Sequence, residues 1–177
     1  MPTRSNYAPD PSKGVLLVDW PLFGELSRAL ALKVARAYQP EVVVGIATAG
    51  VVPGAAVAAI LDLPFHSILV SRRYSADTIR ETPAVFGAAP ADVRNKRVLV
   101  VDETCSSGAT MRLAVGALVN AGSKEVRTAV SFSTGSYVPD FHALATESAI
   151  VLPWDREILV GDELKPNPKY AGLIPGS

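Results

Sequence analysis

At 177 residues the chain is long enough for one α/β domain with a substantial core and short for two. Lys+Arg and Asp+Glu are 17 each, so the formal charge is zero and the basic excess of a dedicated nucleic-acid binder is missing. The single cysteine, Cys105, excludes an internal disulfide framework, and no basic-plus-apolar leader or run of ~18 apolar residues is present, so the expectation is a cytoplasmic protein without a membrane span.

Met1 to Lys13 is polar and Pro-containing and reads as a mobile leader. Val15 to Val18 reads as a short strand, and Trp20-Pro21 opens an amphipathic helix on Leu22, Leu26, Ala29, Leu30 and Val34 that ends before Pro40. Glu41 to Ile46 is valine-dense enough to be a strand buried on both faces. A helix from about Val52 through Leu61 and a strand from Phe65 to Val70 follow, which sets a βαβ rhythm and an α/β fold with a parallel sheet. Residues 71–95 mix charges, prolines and scattered apolar side chains over more than the usual ~12 residues of a loop, and predict a flexible lid or hairpin. Val98 to Val101 is a further strand, with a helix from Ser107 to Asn120 capped near Gly122, and Lys124 to Phe132 is another strand. Ile150 to Trp154 precedes a Pro-rich tail; residues 14–20 and 134–177 together are read as a small hood over the carboxyl ends of the sheet, within a single domain spanning 1–177.

The chemistry concentrates in Val98 to Met111, VLVVDETCSSGATM. A buried strand runs into two acids, Asp102 and Glu103, and then into a loop of small residues at the start of a helix. The first amides of that helix have no intrahelical acceptor, so they and the helix dipole favour an anion. Gly108 permits close approach of backbone, and the hydroxyls of Ser106, Ser107 and Thr110 can donate to phosphate oxygens. Two carboxylates beside such a loop would repel a bare phosphate but suit a sugar diol or a bound Mg²⁺. The bland alternative is an ordinary strand-to-helix turn with a capping hydroxyl. The motif is not a P-loop, because no Gly-Lys-Ser/Thr follows, nor a dinucleotide fingerprint. A second small-residue loop, Ala47-Thr48-Ala49-Gly50, ends one strand and opens the next helix, with room for a second anion. Arg72 and Arg73 follow a strand, where a guanidinium could meet charge developing on a leaving group; as a pair they also fit a solvated surface.

The central segment resembles the signature of the type I phosphoribosyltransferases, with Ser107 where threonine is usual and Glu103 where aspartate is frequent. The run GVVPGAAVA is similar to the corresponding GLVPG-type segment of bacterial xanthine-guanine phosphoribosyltransferases, and Pro153-Trp154-Asp155 to a triplet of 6-oxopurine enzymes. The resemblance implies a three-layer α/β core of about five strands with a hood, acting on phosphoribosyl pyrophosphate and a nucleobase with Mg²⁺, in a homodimer. It implies that Thr104, Cys105, Ser106, Ser107, Gly108, Ala109 and Thr110 hold the 5-phosphate, and that Asp102 and Glu103 hold the ribose hydroxyls, meeting Mg²⁺ only through ribose or water. It gives Ala47, Thr48, Ala49 and Gly50 the pyrophosphate, with a non-proline cis peptide near Ala47-Thr48, and Arg72 or Arg73 the departing charge. Three positions depart from the 6-oxopurine pattern: Ser106 stands where an aspartate handles the base, Thr134 near a base-reading lysine, and Ala149 near a stacking aromatic. The acceptor is therefore open between a purine and another base, and a non-catalytic nucleotide-binding regulator stands as the alternative.

Overall fold

A computed structural model describes residues 11–73 and 79–173 of the chain. The elements run β1 (Val15–Leu17), α1 (Trp20–Ala37), β2 (Val42–Ala47), α2 (Val51–Leu61), β3 (Phe65–Arg73), β4 (Ile79–Phe86), β5 (Arg97–Cys105), α3 (Ala109–Asn120) and β6 (Glu125–Ser133), then four short strands. These are β7 (Phe141–Ala145), β8 (Ala149–Val151), β9 (Glu157–Val160) and β10 (Glu163–Pro166). The chain divides into two compact units, one formed by residues up to Glu25 and from Thr146 onward, the other by Leu26–Ala145.

The larger unit is a six-stranded sheet in the order β4-β3-β2-β5-β6-β7, parallel except for β4, which runs antiparallel to β3. Alternation along the valine-rich strands sorts the core into two layers. Val42, Val44 and Ile46 of β2 and Val98 and Val100 of β5 pack with Met111, Ala114 and Leu118 of α3. Val43, Leu99 and Val101 face the other way, against Leu30, Ala31 and Val34 of α1 and Val57 and Ala58 of α2. Each such fully buried aliphatic side chain stabilises the fold by about 1.5–3 kcal/mol, so runs like VVV and VLVV commit both faces of the sheet at once. The helix α2 sits tight on β2 because two glycines leave a notch: a Cβ at Gly45 or Gly54 would come within 3.0 Å or 2.9 Å of the Phe65 ring.

The sheet has six strands where about five were expected, and the region 71–95 is not wholly loop: β3 continues to Arg73 and β4 returns beside it. An edge position explains how β4, which contains Pro83, belongs to a sheet, since a proline there leaves no inner ladder bond unmade. The helix α3 begins at Ala109, two residues later than the sequence suggests, because Gly108 takes φ +76° and ends the extended run before the helix starts.

In the smaller unit β1 pairs in parallel with β8, and β9 with β10 form an antiparallel hairpin. Trp154, half-buried, packs with Phe23 and Trp20, ring centroids 4.8 and 5.8 Å away. Asp155 is a hub: its carboxylate accepts from Lys169 Nζ at 2.8 Å and Tyr170 Oη at 2.7 Å, and Asn167 Nδ2 donates to it at 3.1 Å. Among the described residues no helix is long and apolar enough to cross a membrane.

Candidate functional site

The strand order changes direction between β2 and β5. From β2 the chain passes through α2 to β3 on one side, and from β5 through α3 to β6 on the other. The two helices pack on opposite faces of the sheet. Their starting loops therefore part at this point and leave a crevice at the carboxyl ends of adjacent strands, where open α/β sheets bind ligands.

Both helices begin without a side-chain cap, at Gly50 for α2 and Gly108 for α3. The first amide of each has only a long local contact, Val51 N–H to Thr48 O and Ala109 N–H to Ser107 Oγ, both at 3.4 Å, so each helix start is suited to an anion. The loop before α2 contains a cis peptide between Ala47 and Thr48, as the sequence reading expects. Gly50 N–H donates to Ile46 O at 2.8 Å and closes the loop onto the strand it leaves. There is no room for a side chain at Gly50, whose Cβ would meet the Val101 carbonyl oxygen at 2.5 Å. The second loop is thereby held against β5 at the acidic tip.

Asp102 and Glu103 both lie inside β5, which extends past the apolar run to Cys105. Consecutive strand residues project to opposite faces, so Asp102 shares the side of Val98 and Val100 while Glu103 shares that of Leu99 and Val101. Glu103 is buried, at 8% exposure, and Asp102 is partly buried. Asp102 accepts a 2.8 Å hydrogen bond from the Glu103 amide, yet burial outweighs that bond and pushes its carboxyl up to about 7.

The loop after the acids is exposed at Ser106 and Ser107 and partly open at Ala109 and Thr110, while Gly108 is buried. The ring of Tyr137 covers Gly108 so closely that a Cβ there would lie 2.2 Å from a ring carbon. Arg112 places its guanidinium 5.1 Å from the centre of the same ring and donates from Nη1 to Ser107 O at 2.8 Å. Tyr137 carries no local signal in the sequence, because only the return of the chain after β6 brings it to the loop. Cys105 is buried; burial first, and then the Asp102 carboxylate, push its thiol up to about 11, against a hydrogen bond from the Gly108 amide. A thiol activated by the helix start is not what the structure shows.

The structure thus brings Asp102, Glu103, the segment Thr104–Thr110, which runs from the last residues of β5 through a three-residue loop into α3, and the segment Ala47–Gly50 to one end of adjacent strands. Arg72 and Arg73 end β3, but their side chains lie outside the described residues. Thr134 is beside the loop, its hydroxyl donating to Cys105 O at 3.3 Å, and Ala149 is buried in the smaller unit, paired with Val15.

The sequence model of the phosphoribosyl transferase domain matches residues 16–158. Among solved structures, the purine phosphoribosyltransferase of Pyrococcus horikoshii is 29% identical, with 82% of this chain and 97% of that one covered at a TM-score of 0.70. A hypothetical protein of Neisseria gonorrhoeae with bound ppGpp is 21% identical, covering 85% and 92% at a TM-score of 0.69. The Helicobacter pylori xanthine-guanine-hypoxanthine phosphoribosyltransferase is 18% identical, covering 79% and 93% at 0.65. No curated protein is a significant match to the sequence.

Proposed function

Since the chain belongs to the phosphoribosyl transferase domain family, we propose that it transfers ribose 5-phosphate from phosphoribosyl pyrophosphate to a nitrogenous base, a purine first, and releases pyrophosphate. The observation that carries this reading is the pair of uncapped helix starts at β2 and β5 with an acid between them. A ligand with two anionic groups and a diol matches that spacing of unlike sites. The loop Cys105–Thr110 takes the 5-phosphate, whose binding energy orients the reacting sugar. Asp102 and Glu103 take the ribose hydroxyls, Asp102 being the less buried of the two. The loop Ala47–Gly50 takes the pyrophosphate through backbone amides and the dipole of α2, with Arg72 or Arg73 completing its neutralisation. Asp102 and Glu103 would meet a Mg²⁺ ion only through ribose or water, and the ion when bound would supply charge neutralisation to the pyrophosphate. Residues 71–95, which include the β3–β4 pairing, serve to exclude water from an oxocarbenium-like transition state.

The protein acts in the cytoplasm as a homodimer in this reading. Support for self-association comes from α2, which carries no charged residue and leaves Ala55, Ala59 and Ile60 exposed. Sedimentation velocity tests it: a species of one chain at micromolar concentration removes the dimer from the proposal.

A second reading, a regulator that binds ribose phosphates without turnover, is favoured by one observation. The Thr134 hydroxyl is spent on Cys105 O, and with Ser106 and the buried Ala149 no group matching the 6-oxopurine base readers stands at those positions. The deciding measurement is pyrophosphate release from phosphoribosyl pyrophosphate and Mg²⁺ over a panel of purines, pyrimidines and other nitrogen bases. Release with any base establishes the transferase, whereas tight binding with no release across the panel establishes the regulator.

A further inference from the structure

Three consecutive carbonyl oxygens, that of the last β5 residue and two of the loop after it, are taken by groups from outside the loop. Cys105 O accepts from the Thr134 amide at 2.9 Å and from its hydroxyl, Ser106 O accepts from the Tyr137 amide at 3.0 Å, and Ser107 O accepts from Arg112 Nη1 at 2.8 Å. In a planar trans peptide the C=O and N–H of one unit point in opposite directions. Fixing the Cys105 and Ser106 carbonyls on one side therefore turns the amides of Ser106 and Ser107 to the other. Among the described residues neither amide meets an acceptor, and both serines are exposed.

The third carbonyl is held by the only side chain of the set that is charged. The Arg112 guanidinium is itself seated on the Tyr137 ring, and that ring rests on Gly108, whose left-handed φ of +76° sets the turn into α3. Gly135 closes the other end, since a Cβ there would stand 2.7 Å from Ser106 O. The carbonyls of Cys105, Ser106 and Ser107 are each held, and Gly108 is covered by the Tyr137 ring.

We propose that Arg112 and Tyr137 are positioning residues of this chain: they hold the loop carbonyls away from the crevice so that the Ser106 and Ser107 amides face a bound phosphate. Arg112 sits on the carbonyl side and acts through the loop, not on the ligand. The inference rests on the phosphoribosyl reading, and the experiment separates the two. Ribose 5-phosphate and inorganic pyrophosphate are titrated calorimetrically into the wild-type chain, Arg112→Met, Arg112→Lys and Tyr137→Leu, with thermal melts as the check on folding. Losing a charge-assisted hydrogen bond at one remove is expected to weaken ribose 5-phosphate about tenfold in Arg112→Met. Tyr137→Leu, which removes the seat of the guanidinium, is expected to weaken it less, with Arg112→Lys restoring part of the loss and pyrophosphate affinity unchanged throughout. In ¹H–¹⁵N spectra the Ser106 and Ser107 amides shift on ligand addition in the wild type and respond less in Arg112→Met. Wild-type binding with an unchanged dissociation constant in Arg112→Met, or an equal loss of pyrophosphate affinity, overturns this inference alone. A wild-type chain that ignores ribose 5-phosphate overturns the phosphoribosyl reading and takes this inference with it.

Discussion

The Cα of Gly50 lies against the backbone of Asp102: a Cβ on Gly50 would stand 2.9 Å from the Asp102 Cα and 2.5 Å from the Val101 carbonyl oxygen. This contact couples the two loops of the site, because the start of α2 can keep its place beside the acidic tip only while residue 50 has no side chain. The obstruction is backbone on both sides, so it cannot swing aside. Gly50→Ala is expected to destabilise the chain by about 1–3 kcal/mol, the usual range for forced overpacking. It is also expected to weaken pyrophosphate by more than about tenfold, since the α2 amides move with the loop. Urea melts and a pyrophosphate titration check both, and wild-type stability in the variant would show that the loop yields easily.

Asp102 makes the folded chain sensitive to pH in a definite direction. Burial raises its carboxyl from an ordinary value near 3.8 to about 7, so between those values the folded protein keeps a proton that the unfolded chain has released. The associated stability is fully present below about pH 4 and is lost as pH rises through about 7. Asp102→Asn removes the titration. Relative to wild type, the variant is expected to gain on the order of 1–3 kcal/mol between pH 4 and pH 8, read from denaturant melts at both ends. A difference between the two proteins that does not change with pH would mean that the carboxyl is well hydrated.

The parts of this architecture that were legible in the sequence are those where local pattern and tertiary environment agree. Val42 to Ile46 and Val98 to Val101 announce strands buried on both faces, and the small-residue loops that follow announce helix starts open to anions. The pattern failed where a strand lies at an edge or in a short pairing. The charged residues and Pro83 of β4 read as loop because edge strands tolerate what inner strands do not. Five-residue β7 holds Phe141 against Tyr38 with no run long enough to signal a strand. At the site, the acids and the hydroxyl loop stand in one contiguous stretch. Tyr137, by contrast, reaches Gly108 from 29 positions downstream, and nothing local in STGSYVP marks it as a cover for that glycine.

Cys105 supplies a check on the interior of the phosphate loop. Its sulfur is buried, accepts from the Gly108 amide and has Asp102 nearby, which together with burial pushes the thiol up to about 11. Only about one thiol in a thousand or fewer is then ionised near neutral pH, and thiolate is the reactive form. Labelling by iodoacetamide at pH 7.5 is expected to be slower than that of a free thiol by at least about a hundredfold, with or without ribose 5-phosphate. Rapid labelling that the ligand suppresses would restore the activated thiol that a helix start alone suggests.

Within the smaller unit, Asp155 organises three residues that follow it by 12 to 15 positions. Lys169, with a side chain only 9% exposed, is the critical member, since its ammonium is seated between the Asp155 carboxylate at 2.8 Å and the Tyr170 ring at 4.7 Å. Removing the carboxylate strands a nearly buried cation, and breaking such pairs from one side costs about 3–5 kcal/mol. Asp155→Ala is therefore expected to lose roughly that much, moderated by the ring that still faces Lys169. The double substitution Asp155→Ala with Lys169→Met is expected to recover part of it, because the stranded charge goes too. Limited chymotrypsin digestion gives the local readout: faster cleavage after Tyr170, which is buried in the wild type, in Asp155→Ala, slowed again in the double variant. Equal cleavage rates in all three proteins would mean that the segment is held by its apolar contacts, with the Asp155 hub adding nothing.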